Sequence, residues 1–178
     1  MDDKSGPQTP PKRVIPPMAA DERTMLPAWL DRHRATVHHK CAELDPALSS
    51  AAPIATSPMT TIGGVVSHLR WVEAFWFEVV MLGQPDVAPY SREDPDGEFR
   101  VGAERPLDEL LAEYERQCER SRRITSGLEL GNSARRTLHD GRDRPTLRWV
   151  LTHMIEETAR HNGHLDLLRE LADGTTGQ

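Results

Sequence analysis

The sequence predicts an all-α fold, a four-helix bundle with long crossover loops. Three observations predict it. Four segments repeat apolar residues at helical spacing. Two long stretches between them are rich in proline, glycine and charge. No alternating strand pattern or internal repeat is found. Amphipathic helices of similar length bury their stripes most economically in a bundle, and long connections let chain neighbours cross it.

The first helix is expected roughly over 20–44, where Leu26, Leu30, Val37, Cys41 and Leu44 lie near one face. Pro27 suits its first turn, or a kink. The second runs roughly over 60–82, with Thr60 or Thr61 as cap and Gly83 as stop signal. "GQPDVAPYSREDPDGEFRVGAER" then reads as a long loop. The third helix covers roughly 106–128, with Leu107, Leu110, Leu111, Tyr114, Cys118 and Leu128 at helical spacing. A second long loop, "ELGNSARRTLHDGRDRP", leads to the fourth helix, roughly 146–172, which ends before Asp173 and Gly174.

The chain has 178 residues, enough for one sizeable core. Residues 1–17 carry five prolines and no apolar leader, so a disordered tail is expected. The bundle is expected over 18–174, with a flexible tail at 175–178. A net charge of −6 argues against general nucleic-acid binding. No apolar run reaches membrane-spanning length. Cys41 and Cys118 form no disulfide framework, and a reducing cytoplasm is the simplest home. Only three of the 22 basic residues are lysine, a bias of GC-rich coding.

The stretch "HMIEETARHNGH" holds three histidines and two glutamates. With His153 at zero on a helical wheel, Glu157 falls at roughly 40°, His161 at roughly 80° and His164 at roughly 20°. Trp149, Val150, Leu167, Leu168 and Leu171 share that arc, so the polar groups are expected to face the interior. His68 is likewise centred among Val65, Val72, Phe75 and Val79 on the second helix, whereas Glu73 falls toward the edge or surface. Buried polar groups need partners, and a divalent cation satisfies imidazoles and a carboxylate together. Glu157 and His161 have i, i+4 spacing, and His68 can approach from the facing helix. Two histidines and a carboxylate leave a coordination position open. Hydrogen bonding alone is the competing reading of each of these groups. His153 and His164 are catalytic candidates, supporting partners of the ligands or alternative ligands. His33, His38, His39 and His139 read as surface residues, Glu156 with Arg160 as a solvated pair, and Arg34 as a snorkelling side chain. Trp29, Trp71, Trp76 and Trp149 read mostly as core or pocket wall.

"VVSHLRWVEAFWFE" and "LRWVLTHMIEETARHNGHLDLLRELADG", taken together, resemble the DinB-like (YfiT-like) metalloenzyme superfamily, over roughly residues 20–174. The resemblance implies an up-down-down-up bundle with a divalent metal between the helices, zinc first, nickel or iron as alternatives. The pattern of the superfamily corresponds here to His68, Glu157 and His161. Glu157 stands where many relatives have histidine, and so matches the His-Glu-His variant of mycothiol-dependent maleylpyruvate isomerase. Mycothiol- and bacillithiol-dependent S-transferases belong to the same superfamily. The implied activity is metal-dependent transfer of a low-molecular-weight thiol to a small-molecule electrophile. The arginine-rich composition favours mycothiol as co-substrate. The extra C-terminal domain of the isomerase has no counterpart, so its reaction is not expected. Metal-assisted hydrolysis, a two-His-one-carboxylate iron site and a non-catalytic metal-binding stress-response protein are the alternatives, and a homodimer is left open.

Overall fold

The computed structural model describes residues 10–138 and 141–177. Residues 1–9 of the expected N-terminal tail, His139 and Gln178 lie outside the described residues. Among the described residues the chain is all-helical, with two isolated β-bridges, Ser133 to Thr146 and Leu138 to Asp143.

Helix α1 spans Glu22–Cys41, and the Asp21 carboxylate accepts the Thr24 N–H at its start. Pro27 lies inside it, beyond the first turn. A single 3₁₀ turn, Pro46–Leu48, follows. Helix α2 spans Ile62–Ala74, with Thr61 as its cap, 2.9 Å from the Gly64 N–H. The helix then widens into a π-helix over Phe75–Met81. Helix α3, Gly97–Ala103, lies where the sequence reads as loop. It is short and contains two glycines, so propensity and periodicity give it no signal. Helix α4 spans Leu107–Ser126 and α5 spans Leu147–Asp173. Gly174 closes α5 at φ 77°, the left-handed conformation that stops helices.

Helix α5 packs mainly on α1, while α2 packs on α3, α4 and α5. The α2–α3 contact is backbone on backbone. A Cβ on Gly63 or Gly102 would collide with the carbonyl oxygen of the other. One core cluster joins Val37, Val66, Leu69, Tyr114, Leu165 and Leu168; another joins Leu30, Phe77, Val80, Leu147, Leu151 and Met154. Cys41 and Cys118 are free thiols inside the core. Burial pushes the Cys41 thiol up to about 12, against the pull of Arg169, and pushes Cys118 well above its ordinary value. No helix among the described residues is long and apolar enough to cross a membrane.

Four expectations are corrected here. Glu73 is fully buried, not at the surface, and Arg34 is 3% exposed and does not snorkel. They form a two-pronged ion pair, with Arg34 Nε and Nη2 each 2.7 Å from a Glu73 oxygen. The buried face of α5 is also rotated. Trp149, Leu167 and Leu171 are 48%, 57% and 59% exposed, while Leu147, Leu151, Thr158 and Leu165 are buried. The arc is centred about 100° round from His153. Glu157 and His161 lie inside it, and His153 and His164 lie at its edge. His33, His38 and His39 are half-buried, not fully exposed.

Candidate metal centre

His68 is set on the inner side of α2, and Glu157 and His161 face it from adjacent turns of α5. One ligand atom from each lies within 4.8 Å of the others. His68 Nε2 is 3.3 Å from Glu157 Oε1, and His161 Nε2 is 3.2 Å from that same oxygen. The side chains are 10–14% exposed, so the group sits at a small opening rather than in a sealed core.

The outward-facing atom of each group has a dedicated partner. His68 Nδ1 lies 2.6 Å from Glu98 Oε1. His161 Nδ1 lies 3.3 Å from His164 Nδ1. Glu157 Oε2 pairs with Arg160. Phe99 stacks on the His68 ring at 4.5 Å and 15°. A neutral imidazole carries one N–H. If His68 donates it to Glu98, its Nε2 lone pair faces a carboxylate oxygen. Two acceptors at that distance require a proton or a cation between them. The donor set therefore fits a divalent ion, and nitrogen and oxygen donors of this kind suit zinc, nickel or iron.

Burial, with smaller contributions from His68 and Arg160, lowers His161 to about 4, which keeps its ring neutral at physiological pH. A neutral ring is the form a metal accepts. His164 is lowered in the same way, by burial and then by His161. His153 is lowered by burial, opposed by Glu156. Its ring stacks on Trp149 at 5.1 Å and meets Trp76 at 4.7 Å, so its ring contacts are with that aromatic pair.

The structure thus brings His68, Glu157 and His161 together, with His164 beside His161. The Glu156–Arg160 pair is present at 3.6 Å and exposed, but Arg160 also reaches Glu157. Its position three residues after Glu157 was the available signal. Glu98 and Phe99 escaped sequence reasoning, because nothing local in a loop-like stretch points to His68.

A family model described as mycothiol-S-transferase matches residues 25–174, from the first turn of α1 to the end of α5. No curated protein matches the chain.

Proposed function

The chain belongs to the mycothiol-S-transferase family, and on that premise we propose that it transfers mycothiol to a small electrophile at a metal centre held by His68, Glu157 and His161. The observation that supports the reading is the convergence of two Nε2 atoms on one Glu157 oxygen. A divalent ion bound there, zinc first, would lower the pKa of a coordinated thiol and supply it as thiolate at neutral pH.

The chain's own groups do the rest. The helical backbone fixes Glu157 and His161 one turn apart, so ligand spacing costs no loop ordering. Glu157 brings a negative charge that keeps the site's total charge low. Arg160 holds the outer oxygen of that carboxylate. Phe99 stacks on one face of His68. In the reaction the thiol proton leaves to solvent. The sulfur electron pair forms the new S–C bond, and the pair of the bond broken at carbon departs with the leaving group. The proposal includes an up-down-down-up arrangement of the four long helices, a functional unit over 18–174, and a cytoplasmic setting.

The test is elemental analysis of the purified protein, followed by mycothiol consumption with an alkyl halide. About one ion per chain is expected. Thiol loss should stop on chelation and return with zinc. Thiol loss that persists after complete metal removal would sink the metal's role. Full metal content in both His68→Ala and His161→Ala would rule out the ligand set.

A further inference from the structure

We propose that Glu98 is a positioning residue of this centre, holding His68 Nδ1 so that Nε2 points at the Glu157 oxygen that His161 Nε2 also faces. The proposal rests on the metal-centre reading above. It stands on geometry that spans two helices. The Glu98 carboxylate is 14% exposed and lies 2.6 Å from His68 Nδ1. The Ser67 hydroxyl donates to the Glu98 carbonyl oxygen at 2.7 Å, which pins the residue against α2. Phe99, the next residue, stacks on the same imidazole. The Gly63–Gly102 contact brings α3 close enough for these three interactions to form together.

A histidine ring can turn over about its Cβ–Cγ bond and can carry its proton on either nitrogen. Glu98 removes both freedoms. A carboxylate at Nδ1 holds the proton there and leaves the Nε2 lone pair free for a cation. Metal-binding histidines commonly donate their other N–H to a carboxylate, which fixes the ring and raises ligand basicity. Glu157 cannot do this for His68, because it faces Nε2.

The experiment titrates zinc, against a competing chelator, into metal-free full-length protein. It compares wild type with Glu98→Ala, Glu98→Gln and Glu98→Asp. Alanine should bind zinc about 10–100-fold more weakly. Glutamine should recover most of that loss, because its carbonyl oxygen still accepts from Nδ1–H. Aspartate keeps the charge but draws the oxygen back by one methylene, so it should resemble alanine. It also supplies the reading if the alanine chain does not fold. The absorption spectrum of the cobalt(II) form should match wild type in glutamine and differ in alanine and aspartate.

Equal affinity in all four proteins overturns the role of Glu98 and leaves the metal centre standing. Aspartate at wild-type affinity with glutamine weak overturns it too, since charge and not placement would then matter. A loss that glutamine does not recover, with an unchanged cobalt spectrum, reduces Glu98 to a packing residue. Wild type that takes up no zinc overturns the metal-centre reading, and this proposal with it.

Discussion

Glu73 and Glu157 are both buried carboxylates on helices that pack together, and both face a nitrogen-bearing side chain on another helix. Glu73 meets a guanidinium whose flat fork matches its two oxygens, at 2.7 Å on each prong. Asp31 takes a further Arg34 donor at 2.9 Å. Each nitrogen of the fork has an acceptor, and both Glu73 oxygens have a donor. Glu157 meets two imidazole nitrogens on one oxygen, and His68 faces a carboxylate at each of its nitrogens while a neutral ring carries a proton for only one of them. One cluster is complete within the chain and the other is complete only with a proton or cation added. Burial and charge alone do not separate an interior ion pair from a binding site. The balance of donors against acceptors does.

The largest expected effect comes from breaking the complete cluster. Glu73→Ala strands a buried guanidinium and should cost about 3–5 kcal/mol of stability, measured by urea unfolding. Arg34→Met combined with Glu73→Leu should recover most of it, because an apolar pair removes both charges at once. A double variant as unstable as the single would show that the pair does more than balance itself. In either case the folded fraction should keep its metal.

Next in size is the open cluster. Glu157→Ala should lose metal affinity sharply while unfolding nearer to wild type than Glu73→Ala does, because its Arg160 partner is half-exposed. Glu157→His should retain metal with altered activity, since it offers a neutral nitrogen from the same turn. Equal metal content after dialysis in wild type and both variants would show that Glu157 is not a ligand.

The smallest effect belongs to a third acid, at the periphery. Hydrogen bonds from His38 and then Arg122 hold Glu115 down from 4.5 to about 2, against burial. A depressed carboxylate stabilises the fold above its unfolded value and loses that contribution as pH falls through its folded one. The stability gap between wild type and Glu115→Gln should be full at neutral pH and should close between about 4.5 and about 2. Acid titration of the two proteins, followed by unfolding at each pH, checks it. A gap independent of pH would place its origin in packing.

Local spacing made part of this legible. Glu157 and His161 could be paired from the sequence because i, i+4 neighbours share a face whatever the helix packs against. His68 could be added because apolar residues flank it at helical spacing. The rotation of the α5 stripe is not legible from periodicity, because His153 lies at the arc's edge and Trp149, Leu167 and Leu171 are apolar yet exposed. Glu73 was misplaced for a different reason. Its partner is on another helix, 39 residues away in sequence, and periodicity is blind to an ion pair that makes burial of charge tolerable. Glu98 shows the same limit, at 30 residues from His68, within a stretch that glycine and proline disguise as loop.

The two sealed cysteines bear on how such a protein endures its own chemistry. A catalyst that brings electrophiles to a sulfur is itself at risk of alkylation. Here Cys41 and Cys118 are 4% and 0% exposed, and their thiols stay protonated at any physiological pH. Thiolate is the reactive form of cysteine, so the chain offers almost none. An electrophile arriving at the opening would therefore meet no exposed cysteine thiol. Self-inactivation through cysteine is closed off by the same packing that holds the helices together.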